Sequence, residues 1–282
     1  HGLSCKKHKR IFKRKEMIDK TAIIDPKAKI SNNVKIGPYS VIGPNVEIGE
    51  GTIVQSHVNI TGDTKIGLNN KIYPFASIGN DPQDLKFKGE ETTAVIGNNT
   101  TIRECVTINR GTSHNNSTIV GDNCFLMAYS HVAHDCIIKN NVIIANGVAI
   151  AGHVEIDEHA IIGGLSAIQQ FSKIGKFSMI SGGSLVRKNV PPYIKVAKEP
   201  LRFIGVNTIG LNRNKFKQES INIIKSCYRV IFQEGNNISQ ALELIEKNKE
   251  NSIEKKEIIK FIKNSKTGIV KGFYWYGNNS RF

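Results

Sequence analysis

Val34-Lys35-Ile36-Gly37-Pro38-Tyr39-Ser40-Val41-Ile42-Gly43-Pro44-Asn45-Val46-Glu47-Ile48-Gly49 spaces its isoleucines by six and follows each with glycine. The spacing extends in both directions. Of the 29 positions divisible by six from Ile18 to Val186, 26 are Ile, Val or Leu, and a small or branched residue such as Val34, Thr52, Ala76 or Val154 recurs four places after them. Six residues advance a helix by about 600°, which would spiral the apolar stripe around its axis. A flat strand would need an apolar residue at every second place. A solenoid satisfies the pattern: each hexad makes one short strand and a turn, the aliphatic side chain points inward, and Gly or Asn takes the tight corner. Three hexads close a triangular coil. Nine or ten such coils, stacked at about 4.8 Å, give a prism roughly 45 Å long, whose Ile and Val rows bury a core that no single coil could bury.

Three positions break the period: Asp84, Glu90 and His114. They lie in the polar, turn-rich stretches Gly79–Glu90 and Gly111–Ser117, which read as loops ejected from the prism, the usual place for binding groups on a rigid scaffold. Past Val186 the hexads stop at Pro191-Pro192. Helical patterns follow at 218–233 (Ile221, Ile224, Cys227, Tyr228, Ile231), 238–247 and 253–263, separated by Gly235-Asn236-Asn237 and Asn251-Ser252. These helices are expected to cap the open end of the solenoid, a bare edge that would otherwise invite aggregation. The expected organisation is a basic extension at 1–16, disordered and dispensable, a β-solenoid at 17–192 and an α-helical domain at 193–282.

The chain has 282 residues and a formal charge of +15, but the charge is divided. Residues 1–16 carry +6, residues 17–186 carry −2 and residues 187–282 carry +11. A nearly neutral body with a basic tail points to an acidic partner or to a solvated surface. No aromatic-interleaved basic motif supports nucleic acid. No apolar run of about 18 residues supports a transmembrane helix, and the basic head lacks the apolar core of a secretory signal. Five scattered cysteines without a C-x-x-C pair exclude a disulfide framework and favour a reducing cytosol.

His1, His8, His57 and His159 read as ordinary surface residues. Ser130-His131-Val132-Ala133-His134-Asp135-Cys136 differs, because Val132 and Cys136 point inward and turn His131 and His134 outward. His153 follows one coil later, displaced by one place. Three imidazoles with a carboxylate beside them suit acid–base chemistry near neutrality. Three histidines would also suffice for a catalytic zinc, and a solvated surface cluster is the bland reading.

Beyond the hexads, the ordered segments Gln83-Asp84-Leu85-Lys86 with Gly89-Glu90, Arg103–Thr112, Ser130–Cys136, Ala151-Gly152-His153-Val154, Ile162-Gly163-Gly164, Gln170-Phe171, Val190-Pro191-Pro192-Tyr193, Gly205-Val206-Asn207 and Phe261–Ile269 resemble the UDP-N-acetylglucosamine acyltransferase family of lipid A biosynthesis, over about Met17–Lys271. The resemblance implies an all-β left-handed parallel β-helix with a C-terminal α-helical domain, assembled as a cytoplasmic homotrimer with sites between prisms. It implies transfer of an (R)-3-hydroxyacyl chain from acyl carrier protein to the 3-hydroxyl of UDP-N-acetylglucosamine, with no cofactor and no metal. By position, His134 would be the general base, Asp135 its orienting carboxylate and Gly152 the N–H donor to the oxyanion. His131 and His153 would line the pocket. Asp84, Lys86, Gln170, Asn207 and Arg213 would bind the sugar nucleotide, Arg213 suiting its diphosphate. Gly182 falls where a side chain can block the acyl groove, so a glycine there implies a long chain. An acidic carrier protein would account for the basic tail, docking on Lys215, Lys217, Lys225 and Arg229.

The chain departs from the family pattern at Gln169 and Asn109, where histidines are common, at Asn214, where a second Arg is common, and at Ile209. Three other readings share the scaffold. An N-acylating sibling would need a uridine-binding front domain, for which hexads starting at Ile18 leave no room. A γ-type carbonic anhydrase would hold stoichiometric zinc. A structural spacer would not need His131, His134 and His153 together.

Overall fold

A computed structural model describes residues 17–248 and 252–272; the basic head at 1–16 lies outside the described residues. Short strands run from Ile23–Ile24 to Arg202–Val206 and assemble into three sheets of nine, eight and ten strands, begun respectively by Ile23–Ile24, Lys29–Ile30 and Lys35–Ile36. Successive strands visit the three sheets in turn, so each sheet is one face of a triangular prism. Every pairing is parallel except the last, Ile194–Ala197 with Arg202–Val206.

The register makes the hexad visible in three dimensions. Val132 pairs with Ile150, Ile150 with Ile168 and Ile168 with Val186, each 18 residues on. The inward positions form one continuous core, in which Ile60, Ile78, Ile108, Val132, Ile150 and Ile162 are fully buried. Removing each such side chain from water contributes roughly 1.5–3 kcal/mol. Several polar residues at inward places bond to the next coil: the Thr52 hydroxyl donates to the Gly67 carbonyl at 2.9 Å and the Ser40 hydroxyl to Gln55 at 2.7 Å, whereas the buried Ser130 hydroxyl has no partner.

The register also measures the loops. Ser77 pairs with Thr107, 30 residues on, and Thr107 with His131, 24 residues on. The first excess is two hexads, the ones containing Asp84 and Glu90; the second is one hexad, the one containing His114. Both loops leave the edge between the first and second sheets.

The glycines after the aliphatic positions do a different job from the expected one. The left-handed corner falls three places after the aliphatic residue, at Asn33, Tyr39, Asn69, Phe75, Asn99, Asn123, Tyr129, Asp135, Asn141, His153 and Phe171, all with φ between 54° and 63°. Asparagine is there as expected, and so is glycine at Gly51, Gly147 and Gly183, with φ of 75°, 65° and 68°. Gly49 and Gly97 are not corner residues: a Cβ at Gly49 would lie 2.6 Å from the Gly67 carbonyl carbon, and one at Gly97 would lie 2.7 Å from that of Gly121. They are glycine because the next coil's backbone passes too close for a side chain.

Sheet structure continues past residue 192, where the hexads end, through Ile194–Ala197 and Arg202–Val206. Among the described residues four helices follow: α1 (Thr208–Arg213), α2 (Gln218–Phe232), α3 (Ile238–Lys247) and α4 (Ile253–Lys263). The last three match the apolar periodicity closely. Asn237 and Gln240 form a capping box on α3, and Ser252 caps α4. The helices pack over the C-terminal coils: α2 buries Ile221, Ile224, Cys227, Tyr228 and Ile231, and Tyr228 donates its hydroxyl to Pro192 at 2.6 Å. Glu257 on α4 meets both Lys176 and the Tyr193 hydroxyl. No described helix is long and apolar enough to cross a membrane.

Candidate active site

His134 and Asp135 stand on the edge from which both loops are ejected, one coil further on. Gly152 and His153 occupy the same places on the next coil, and Gln170 and Phe171 on the one after, a stacking set by the 18-residue register. Asp135 is a corner residue with φ of 59°, a conformation that Asp tolerates better than most residues. Its backbone N–H donates to the Thr118 hydroxyl at 2.8 Å.

The Asp135 side chain is fully buried and accepts four hydrogen bonds. The backbone N–H groups of Thr112 and Asn115 reach Oδ1 at 3.0 and 3.2 Å. The Thr112 hydroxyl and His134 Nδ1 reach Oδ2 at 2.6 and 2.8 Å. Burial pushes this carboxyl up, but the Thr112 hydroxyl, the His134 ring and the Thr112 N–H together hold it below its ordinary value. An ionised carboxylate only accepts, so His134 Nδ1 must carry the proton. The lone pair of neutral His134 is therefore on Nε2. The ring lies on Gly152, where a Cβ would come within 2.5 Å of His134 Cε1 and 2.7 Å of Nε2. Glycine at 152 is what lets the imidazole lie there.

His153 stands perpendicular to His134 with centroids 5.0 Å apart, stacked on Phe171 at 4.4 Å and met edge-on by His114 at 4.7 Å. Its Nδ1 is buried without a partner, 3.7 Å from Asp135 Oδ2. Burial lowers its pKa against the opposing pull of Asp135. His131 places Nδ1 2.7 Å from the Thr107 hydroxyl, and burial, with His134 nearby, lowers its pKa as well. His134, Asp135 and His153 offer donor atoms within 4.8 Å of one another, a spacing that could close on a metal ion. The four donors already on Asp135 match the lone-pair sites of a carboxylate, so the oxygen set is committed to protons.

Asp84 accepts from the Lys86 N–H at 3.0 Å in the first loop, and its charge acts on His153. Arg110 ties that loop down, pairing with Asp81 at 2.8 Å and donating to the Glu90 carbonyl at 2.9 Å. Gln170 is exposed on the same edge as His134, as is Gln169. Asn109 is buried with its amide on the Asp81 carbonyl and its own Oδ1 unpartnered. Gly182 lies at the edge between the third and first sheets, where a Cβ would be 3.1 Å from the Gly164 carbonyl oxygen. From His131 toward Gly182 the outward residues of the first sheet are Ala149, Ala167 and Leu185, a shallow apolar track.

Asn207 and Arg213 are not brought to His134 within one chain. Asn207 caps α1 through Gly210 N at 3.2 Å and donates to the Phe177 carbonyl at 2.9 Å, on the edge between the second and third sheets. Arg213 is exposed in the last turn of α1, with Asn214 as its C-cap and Ile209 exposed. Thr112, Asn115, His114 and Phe171 join the site although the spacing argument gave none of them a role. Two signals were available: the first three sit in a loop that breaks the period, and Thr112 and Phe171 lie in segments that carry the family resemblance.

A prism of hexapeptide coils whose one edge carries a carboxylate-fixed imidazole defines a hexapeptide-repeat transferase. Residues 27–62 and 117–152 match the family model described as bacterial transferase hexapeptide (six repeats). Residues 189–270 match that described as Udp N-acetylglucosamine O-acyltransferase, domain 2. An acyl-[acyl-carrier-protein]–UDP-N-acetylglucosamine O-acyltransferase of Thermodesulfovibrio yellowstonii is 46% identical over 90% of this chain and 99% of its own length. The protein of that name in Psychromonas ingrahamii is 52% identical over 77% of this chain and 84% of its own length. The solved UDP-N-acetylglucosamine acyltransferase of Bacteroides fragilis superposes with a TM-score of 0.88 at 46% identity, over 90% of this chain and all of that one. The chain belongs to the UDP-N-acetylglucosamine O-acyltransferase family, and its prism is the left-handed parallel β-helix.

Proposed function

We propose that this enzyme transfers an (R)-3-hydroxyacyl chain from the thioester of acyl carrier protein to the 3-hydroxyl of UDP-N-acetylglucosamine, the first step of lipid A biosynthesis, with His134 as general base. The observation that carries the reading is the His134–Asp135 pair, which leaves Nε2 as the one proton acceptor of a ring held in place on Gly152. The names of the relatives supply the substrates.

In this reading Nε2 takes the proton of the sugar hydroxyl as its oxygen attacks the thioester carbonyl. Asp135 stabilises the imidazolium that forms. The Gly152 N–H holds the oxyanion of the tetrahedral intermediate. On collapse the C–S bond breaks and the imidazolium returns its proton to the departing thiolate, so the base is regenerated. Neutral His131 and His153 line the pocket, and Asp84, Lys86 and Gln170 take the sugar nucleotide. A homotrimer would bring Asn207 and Arg213 of a neighbouring prism to an edge they cannot reach within their own. The acyl chain follows the track of Ala149, Ala167 and Leu185 toward Gly182, which leaves room for a long chain. The acidic carrier docks on Lys215, Lys217, Lys225 and Arg229, all exposed, and the reaction takes place in the cytoplasm.

The test is transfer from 3-hydroxyacyl carrier proteins of several lengths to UDP-N-acetylglucosamine, with the 3-amino sugar nucleotide in parallel. An O-acylated product with longest-chain preference supports the reading. Exclusive use of the amino sugar, or no transfer by folded protein, contradicts it.

A further inference from the structure

The second ejected loop closes over Asp135 from a point 23 residues earlier in the chain, and Thr112 makes two of its three hydrogen bonds to the carboxylate. Thr112 grips both carboxylate oxygens, its N–H on Oδ1 at 3.0 Å and its hydroxyl on Oδ2 at 2.6 Å. The two bonds fix the carboxylate plane, as a bidentate partner does. Asn115 adds its N–H to Oδ1 at 3.2 Å and its side-chain amide to the Asp135 carbonyl at 3.3 Å. The loop is itself held. The Thr112 carbonyl accepts from Asn116 N–H at 2.8 Å, and Gly111 packs where a Cβ would lie 2.3 Å from Ser117 N.

The fixed plane matters because two imidazoles compete for Oδ2. His134 Nδ1 is on it at 2.8 Å, and the buried, unpartnered Nδ1 of His153 waits at 3.7 Å. A rotation of the carboxylate would bring Oδ2 to His153 and leave His134 free to change tautomer or swing off Gly152. The Thr112 hydroxyl occupies the remaining position on Oδ2 and opposes that rotation. We propose that Thr112 is a positioning residue which commits Asp135 to His134 rather than to His153, so that the loop ejected by the missing hexad sets the orientation of the base. The inference rests on the acyl-transfer reading with His134 as base.

The experiment compares Thr112→Val, Thr112→Ala, Thr112→Ser, Asp135→Asn, His134→Ala and Thr112→Val/Asp135→Asn in steady-state acyl transfer, with thermal unfolding as the check of folding. Val and Ala bracket the Thr side chain in volume, so the comparison survives if either one fails to fold. Loss of the hydroxyl should lower kcat about tenfold or more, the scale seen when an outer partner of a functional group is removed. KM for both substrates should change far less, and Ser should restore most of the rate. In the Asp135→Asn background the Thr112→Val effect should vanish, because a residue acting through Asp135 has nothing left to orient. Wild-type kcat in Val and Ala beside an inactive His134→Ala would overturn this inference alone. So would a Thr112 effect that persists undiminished in Asp135→Asn. Full activity in His134→Ala would overturn the reading beneath it, and this inference with it.

Discussion

His134 is left with Nε2 as its free proton acceptor because of what its neighbours cannot do. Asp135 cannot give a proton at neutral pH, and Gly152 has no side chain to push the ring away. Gly152→Ala places a methyl group 2.5 Å from His134 Cε1. Gly152 φ is not in the left-handed region, so the backbone accepts alanine and the strain falls on the ring. The expected outcome is a loss of activity on the order of 10²-fold, the scale of a roughly 1 Å misplacement, with little change in melting temperature. An unchanged rate would mean that the His134 ring can sit elsewhere and still work. What spacing could supply at this scale was the imidazole cluster and its carboxylate. It could not supply Thr112, because that contact spans a loop and a coil with no repeat to announce it.

At the scale of the hexad, two residue types are conserved along the prism for different reasons. Corners need a left-handed residue, which Asn, Asp, His and several aromatics provide at φ near 60°. The glycines after the aliphatic positions need the absence of a side chain. Gly49→Ala should therefore destabilise the fold by about 1–3 kcal/mol through overpacking against Gly67, measured by denaturant unfolding, whereas Asn99→Gly, at a corner with φ of 54°, should be close to neutral because glycine adopts the same φ freely. Equal effects at both sites would contradict this division of labour. A period alone does not separate the glycines that take a corner, Gly51, Gly147 and Gly183, from those that leave room for the next coil. The same period did locate both loops, because every hexad missing an aliphatic residue is a hexad missing from the wall. Helices α2 to α4 were legible from their 3.6-residue stripe. The six residues of α1 are too few to show one, and the strands Ile194–Ala197 and Arg202–Val206 lie outside the hexads.

Across the whole molecule, burial of ionisable groups makes stability depend on pH. His131 and His153 have pKa values lowered from 6.5, so below about that pH the unfolded chain binds protons that the folded chain refuses. Their contribution to stability is complete above pH 6.5 and is lost as the pH falls toward their folded values. Asp135, lowered from 3.8, contributes above that pH and is lost as the pH falls through its folded value. Melting temperature should thus decline from pH 7 to 5 and again below pH 4. A profile flat to pH 5 would contradict the burial of the two histidines. The division of charge makes a separate prediction: KM for the carrier protein should rise with ionic strength, and Lys225→Glu should raise it further while leaving kcat nearly unchanged. A salt-independent KM would remove the carrier from that basic face.

In the proposed reaction an imidazole held by Asp135 takes the proton of the acceptor hydroxyl. The most direct test of that step is the rate of acyl transfer from 3-hydroxyacyl carrier protein to UDP-N-acetylglucosamine by the wild type beside folded His134→Ala. The wild type should give O-acylated product, and kcat in the variant should be lower by about 10²-fold or more, the scale of a missing general base. Equal rates from the two proteins would contradict that step.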